Sequence, residues 1–300
     1  MTISKQLILP AMLLVIISAG AYAQVRVMPA EVRETRRTDG FFNKLEIELK
    51  LIGDAMNEAK GIRVILDKAV DDTGRDLLNP EKKSDEFDDI SSSFGNREKI
   101  DIEMKNASRQ AATVQEISGR IELFIPKRDP KSSLMFPGVL RATGKPLTSA
   151  DLKAAGITIT IWTKEQYEVR RKTEEARIKK EMEERKKKAA ENPGDPADEM
   201  IEGLMKIFGG LFSALTEMGE NAVALQLSDK QGKLISIEFE DAAGKPISRQ
   251  GRSTMGSKDD QTQIFEFENK LPADARMRVY LLTPRSVVST PFKLTNIPLP

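Results

Sequence analysis

Alternation of apolar and polar residues recurs along this chain and limits the possible folds more than any other feature of the sequence. From residue 44 the chain reads KLEIELKLIG, in which every second residue is Leu or Ile and the residues between them are charged. Successive side chains of a β-strand point to opposite faces of a sheet, so this pattern predicts a strand with one buried face. Similar runs are GIRVILDKAV, EKIDIEMKN, SGRIELFIP and ITITIW, and later NAVALQLSD, KLISIEFED, TQIFEFEN, RMRVYLLT and TPFKLTNIPL. Short alternating strands separated by polar turns favour β-sandwiches, one before residue 164 and a smaller one after residue 220.

A short motif, Asp-x-x-Gly-basic-x-aliphatic, separates several of these runs. It starts at Asp71, Asp229 and Asp241, and a near-copy without the acid starts at Arg141. Asp favours the first position of a type I turn, and a Gly at the fourth position can adopt positive φ. A calcium loop would need acids at alternating positions and a distal Glu, which none of the copies has. We therefore interpret the motif as a turn, with a cation site as the alternative.

The first 23 residues, MTISKQLILPAMLLVIISAGAYA, have the composition of a secretory signal peptide. One Lys precedes an apolar run, and Ala21-Tyr22-Ala23 provides small residues at the cleavage position, which predicts a mature chain that begins at Gln24. The alternative is an uncleaved anchor, but an anchor needs about 20 apolar residues, and Pro10 interrupts the run. We expect an exported protein, periplasmic or extracellular.

Composition excludes several classes of function. The sequence contains no His and no Cys, so Ser-His-Asp and Cys-His nucleophiles and the usual zinc and copper sites are impossible. The 47 basic residues nearly balance the 46 acidic ones, and loss of Lys5 with the signal peptide makes the balance complete. A neutral chain has no general attraction for nucleic acid or anionic membranes. No catalytic, cofactor-binding or metal-binding residue is predicted, and no cofactor.

One acidic segment contains Asp85, Glu86, Asp88 and Asp89. Clustered carboxylates suit hard cations such as calcium, but the spacing fits no calcium loop, and two lysines lie beside them. We expect a solvated loop, with a cation site as the alternative.

A different pattern occupies the middle of the chain, where residues 164–190 predict a long charged helix. Thr163 and Gln166 form a capping box, and Trp162 and Tyr167 occupy the positions of a hydrophobic staple. Glu and basic residues four apart support the helix, whereas large apolar residues are too few for a sustained coiled-coil seam. This helix is expected to lie mostly in water.

A second helix, predicted over residues 198–220, is strongly amphipathic. Its acidic charge is opposite to that of the first helix, which favours an antiparallel hairpin. The charged helix cannot cover the apolar side, which leaves three alternatives: packing on the β domains, self-association or a protein partner, and a membrane surface. An acidic polar face disfavours the membrane. The candidate interaction surface consists of Ile201, Leu204, Met205, Phe208, Leu211, Phe212 and Leu215.

At LKLIGDAMNEAKGIRVILDKAVDDTGRDLL, NASRQAATVQEISGRIELFIP and LKAAGITITIW the chain resembles uncharacterised exported bacterial proteins with immunoglobulin-like β domains. The resemblance covers residues 41–163 and, more weakly, 221–300. It implies a fold and export, but no activity and no functional residue.

These observations together predict a mainly β protein with two immunoglobulin-like antiparallel β-sandwich domains and an inserted α-helical hairpin. The predicted parts are the signal peptide at 1–23, a linker at 24–40, a first sandwich at 41–163, the helices at 164–220 and a second sandwich at 221–300. The expected function is non-enzymatic binding, assembly or scaffolding in the cell envelope, with the amphipathic helix as the interaction element. The alternatives are a carboxylate-dependent hydrolase of an envelope polymer and a peripheral membrane adaptor.

Overall fold

The computed structural model describes residues 25–37, 43–80, 86–90, 98–190, 218–257 and 259–300, with the backbone alone at 178, 182 and 185–190. The predicted signal peptide lies outside these residues. In the part of the chain that is described, no helix is both long enough and apolar enough to cross a membrane.

The described chain is mainly β, as predicted, and its strands form antiparallel sheets. Sheet I has the order β1 (Arg26–Thr35), β2 (Lys44–Ile52), β5 (Lys99–Met104). Sheet II has the order β15 (Val287–Pro298), β6 (Thr113–Phe124), β3 (Gly61–Asp71), β4 (Asp88–Asp89). Sheet III has the order β11 (Pro246–Ile247), β10 (Leu234–Glu240), β14 (Arg276–Leu281), β7 (Ser133–Phe136). Sheet IV has the order β12 (Arg249–Ser257), β13 (Asp260–Phe267), β9 (Ala222–Asp229), β8 (Ile157–Trp162).

The described ranges contain three α-helices: α1 (Ala55–Glu58), α2 (Ala150–Ala155) and α3 (Lys164–Ala190). The Ser149 hydroxyl accepts hydrogen bonds from the first N–H groups of α2, and Gly156 ends this helix with φ of 70°. Ser at the N-cap and a left-handed Gly after the last turn are the usual stop signals of a short helix.

One hydrophobic core lies between sheets I and II, which together form what we call the first β unit. The alternating Leu and Ile of β2 are at most 1% exposed, which confirms the strand and the face predicted from KLEIELKLIG. Strand β6 contributes Ile117 and Ile121, while β15 contributes Phe292 and Ile297. The last strand, β15, therefore helps to build the core against which the first described strand, β1, packs.

A second core lies between sheets III and IV, which form the second β unit. Strand β8 contributes Ile157, Ile159 and Ile161. Phe239 of β10 meets Phe265 and Phe267 of β13 edge to face, with ring centroids 5.5 and 5.3 Å apart. These contacts join the two sheets through aromatic side chains that bury large apolar areas.

The strand pairing divides the chain at places other than the predicted boundaries. Strands β7 and β8 lie before residue 163, yet they pair with β14 and β9 of the second β unit. Strand β15 lies after residue 221, yet it pairs along its length with β6 of the first β unit. The predicted ranges 41–163 and 221–300 therefore do not each contain a complete set of paired strands. Alternation shows which face of a strand is buried, whereas the choice of partner is a long-range property.

The predicted linker at residues 24–40 contains a strand. β1 pairs with β2 from Arg26 opposite Ile52 to Thr35 opposite Lys44, with a register shift between Pro29 and Glu31. Proline has no N–H to donate and is tolerated in sheets on edge strands and at bulges, and β1 has both features. Most of its side chains are exposed, so the strand lacks the alternation by which the others are recognised.

The two β units contact each other. Phe124, Ile235 and Tyr280 form a buried cluster, in which Phe124 lies edge to face with Tyr280 at a centroid distance of 6.3 Å. Lys60 Nζ lies 2.6 Å from Glu238 Oε1, and Tyr280 Oη donates to the other oxygen of Glu238 at 3.0 Å. Apolar packing and a charged network thus hold the units together where the chain passes between them.

Candidate functional site

The predicted interaction surface, from Ile201 to Leu215, lies outside the described residues. So does most of the predicted second helix. The structure does describe α3 and the place where the chain returns at Met218, which together define how this part of the protein is attached.

Residues 163–221 form an insertion between two paired strands of sheet IV. Strands β8 and β9 are antiparallel neighbours in a register that runs from Ile157 opposite Asp229 to Trp162 opposite Ala224. Such strands need a connection of only about two to five residues. The strand ladder is therefore complete without the insertion.

The first turn of α3 has the predicted capping box. The Thr163 hydroxyl accepts from the Gln166 N–H at 3.2 Å, and the Gln166 side chain accepts from the Thr163 N–H at 3.0 Å. These reciprocal bonds satisfy two backbone donors that would otherwise lack partners at the start of a helix. The start of α3 is thus fixed directly after β8.

An apolar cluster anchors the insertion on sheet IV. Tyr167 is fully buried against Ala224 and Ile264, and Trp162 and Met218 pack beside them. Burial raises the pKa of the Tyr167 hydroxyl to about 12. The outgoing and the returning chain therefore meet in one cluster, which we call the anchor cluster.

A polar network supports the next turn of α3. The Arg170 guanidinium pairs with Asp260 of β13 and lies 3.2 Å from Glu174, which is buried. Glu174 also accepts from Arg177, and the two side chains approach to 2.8 Å. Packing and charge thus hold the helix to the sheet from its first turn as far as Glu174.

Beyond Glu174, α3 projects into solvent. All described side chains from Glu175 to Glu184 are exposed. Val169 is 67% exposed although it is apolar. The 27 residues of α3 correspond to about 40 Å, so a charged rod extends well away from the β unit.

The repeated Asp-x-x-Gly motif forms the same turn at all three positions. Asp71, Asp229 and Asp241 each accept a hydrogen bond through Oδ1 from the N–H four residues later, at 2.9–3.0 Å. The Gly at the fourth position has φ of 84°, 62° and 87°, respectively. The carboxylates are occupied by backbone donors, which agrees with the interpretation as a turn.

Of the acidic segment, Asp85 lies outside the described residues, and one described member, Asp89, is not part of a solvated loop as predicted. Asp89 is nearly buried and accepts from Arg249 at 2.9 Å and from Arg252 at 3.3 Å, both on β12 of the other β unit. Asp88 is exposed, but partial desolvation by the surrounding chain, with a smaller effect of Glu86, raises its pKa. Within the described ranges, no group of three or more acidic side chains is arranged to hold a metal ion.

Two other buried carboxylates, Glu122 and Glu240, serve structural hydrogen bonds. Glu122 lies 2.5 Å from Arg63 and 3.0 Å from Arg120, and these two partners outweigh the opposing effect of burial and lower its pKa. Glu240 is held by Arg278 at 2.6 Å. An acid or base in catalysis needs a free proton-transfer position, and these carboxylates are already occupied.

One feature was not indicated by the sequence. A cavity of about 350 Å³ at one end of sheet I is lined by cationic side chains from separate stretches of the chain. No run of basic residues marks it in the sequence, because the fold alone brings these side chains together.

Comparison of the chain with protein-family models, with curated proteins and with solved structures gives no match. The class of protein is therefore defined by its own structure: a mainly antiparallel β protein with an anchored insertion between two paired strands.

Proposed function

We propose that the protein is an exported, non-enzymatic binding or assembly protein of the cell envelope, and that the insertion at residues 163–221 is its interaction element. The signal-peptide pattern supports export. The lack of His and Cys in the sequence, and the structural hydrogen bonds of the buried carboxylates, support a binding role over a catalytic one.

The finer fold belongs to the same proposal. We regard sheets I and II, and sheets III and IV, as two sandwiches of the immunoglobulin-like type, with an insertion that continues from α3 into a helical hairpin. The shared core of each sheet pair supports this assignment. The assignment would be contradicted if Ile47 and Ile121 were found not to face each other across one core.

The observation that carries the proposal is the complete strand ladder beneath the insertion. Long connections inside compact domains are usually functional when they are not linkers. This one begins and ends in the anchor cluster, so its two ends are fixed on sheet IV. A rod that the sheet does not need for pairing, but does hold in place, is suited to present a surface to another protein.

Site-specific photo-crosslinking in the native cells tests this role. A benzophenone amino acid replaces Lys180, which is exposed on α3, and in a control it replaces Lys230, which is exposed at a turn of the same β unit. We expect one discrete adduct from position 180 and none from position 230. The mass of the adduct distinguishes a second copy of the chain from a different protein.

Two further variants connect the adduct to the predicted apolar face. Phe208→Glu/Phe212→Glu should abolish it, whereas Lys206→Glu, which changes the net charge equally on the predicted polar face, should not. Circular dichroism and thermal unfolding establish that all variants have the same β fold. A folded protein that gives no adduct at position 180, or an adduct that survives Phe208→Glu/Phe212→Glu, would contradict the proposed interaction element.

A further inference from the structure

The cationic cavity lies where three segments converge at one end of sheet I. They are the end of β1, the turn after β3 and the segment after β5. Its volume of about 350 Å³ lies near the lower end of the range for small-molecule sites, which is roughly 300–1,000 Å³. Its cationic lining residues are Arg36, Arg37, Arg75, Lys105 and Arg109. No carboxylate belongs to the described lining, whose other polar side chains are those of three asparagines.

Hydrogen bonds fix the walls of this cavity. Asp71 accepts from the N–H of Arg75 at 2.9 Å and from the N–H of Ser108 at 2.7 Å, which ties the turn after β3 to the segment after β5. Asn106 donates to the Thr35 carbonyl at 2.9 Å and to the Lys44 carbonyl at 3.3 Å. These hydrogen bonds therefore fix the backbone that carries the cationic side chains before any ligand binds.

Three of the cationic side chains have no structural role among the described residues. The side chains of Arg75, Lys105 and Arg109 are exposed, and among the described residues they have no hydrogen bond or ion pair. Arg36 differs, because it pairs with Glu34 at 2.7 Å and donates to the Ala107 carbonyl at 2.8 Å. Several like charges around one cavity repel each other, and an anion between them would relieve that repulsion.

We propose that this cavity binds a phosphate-type oxyanion, either free phosphate or pyrophosphate or the phosphate of a lipid headgroup. Guanidinium groups offer paired N–H donors that match phosphate oxygens, and Lys adds a point charge. Arg75, Lys105 and Arg109 supply the binding charge, while Asp71 and Asn106 hold their backbone in place. The nearly balanced charge of the whole chain is compatible with such a site, because a local cluster creates its own potential.

Calorimetric titration of the mature chain with inorganic phosphate and with pyrophosphate tests the proposal for free ligands. Co-sedimentation with vesicles that contain phosphatidylglycerol, against vesicles of phosphatidylcholine alone, tests the lipid source. We expect a Kd below about 1 mM for at least one of these ligands at low salt. Binding should weaken as salt is raised toward about 0.15 M and beyond, because exposed charges are screened.

Arg75→Ala/Arg109→Ala should weaken this binding by about tenfold for each lost cation. The matched control, Arg141→Ala/Arg285→Ala, removes two exposed arginines elsewhere and should bind like the wild type. The ligand should also raise the Tm of the wild type and the control but not that of the cavity variant. Absence of binding to every probe, or equal loss in both double variants, would overturn the proposal. Binding to phosphatidylglycerol vesicles alone assigns the site to a lipid headgroup, and binding to the soluble ions assigns it to free phosphate.

Discussion

Replacing Asp71 with Asn should destabilise the first β unit far more than the same change in another Asp-x-x-Gly turn destabilises the protein. The Asp71 carboxylate is fully buried and accepts from three groups besides the Arg75 N–H. These are the Thr73 N–H at 3.0 Å, the Thr73 hydroxyl at 2.7 Å and the Ser108 N–H at 2.7 Å. An Asn side chain has one acceptor oxygen, so either Ser108 or the Thr73 donors would face an NH₂ group.

The magnitude follows from these contacts. A buried donor left without an acceptor costs about 1–3 kcal/mol, and the remaining bonds lose the contribution of the negative charge. We expect Asp71→Asn to lower the free energy of unfolding by about 3 kcal/mol. Asp241→Asn is the matched control, because Asp241 begins the same turn but is only half-buried, and its carboxylate has one described partner, the Lys245 N–H. Its cost should be about 0.5–1 kcal/mol.

Denaturant unfolding followed by two probes measures the difference. Far-UV circular dichroism reports both β units, while the fluorescence of the single tryptophan, Trp162, reports the second. Asp71→Asn should lower the denaturant concentration at which the far-UV ellipticity is lost. Any loss of ellipticity at a lower denaturant concentration than the fluorescence change reports unfolding of the first β unit. The reasoning is refuted if Asp71→Asn costs no more than Asp241→Asn.

The effect of Asp71 should also depend on pH. Burial tends to raise its pKa, but the hydrogen bonds from Ser108, Thr73 and Arg75 outweigh burial, so its pKa in the folded protein is lowered. A lowered pKa contributes stability above the unfolded value of about 3.9, and this contribution is lost as pH falls through the folded value. The difference in the free energy of unfolding between wild type and Asp71→Asn should therefore be largest at neutral pH and become smaller below about pH 4.

Two other predictions concern the tyrosines and the start of the mature chain. Burial raises the pKa of Tyr167 to about 12, and burial with Glu238 raises that of Tyr280. In the chain that begins at Gln24, Tyr167 and Tyr280 are the only tyrosines, so the tyrosinate absorbance of the folded protein should show no step near pH 10. Stability should fall as pH rises from about 10 toward 12, and a midpoint near pH 10 in this folded chain would count against both pKa directions. The signal-peptide pattern predicts that the protein in cells begins at Gln24 and lies outside the cytoplasm, which N-terminal sequencing of fractionated cells checks, and an intact Met1 would contradict it.

Local features of the fold could be predicted because they depend on neighbouring residues. Alternation identified the buried face of β2, and the three Asp-x-x-Gly turns take their shape from the Asp and the Gly within them. The capping box of Thr163 and Gln166 located the start of α3. In each case the residues that decide the structure lie within a few positions of each other.

The remaining features depend on contacts between distant residues. Nothing local to β15 specifies β6 as its partner, and the exposed side chains of β1 conceal that it is a strand. Asp89 could be recognised as charged but not as the partner of Arg249, which lies 160 residues further along the chain. The sequence does not indicate the cationic cavity for the same reason, since only the folded chain brings Arg75 and Arg109 together.

The pairing of β15 with β6 has a consequence for the order in which the protein can fold. During synthesis β6 emerges long before β15, so one edge of β6 stays open while the whole second β unit is made. The strands of the second unit are contiguous apart from the insertion and can close first. An open strand edge is a template for pairing with other chains, so the nascent protein passes through a stage that is prone to aggregation. The unit that begins the chain is thus the last to be completed.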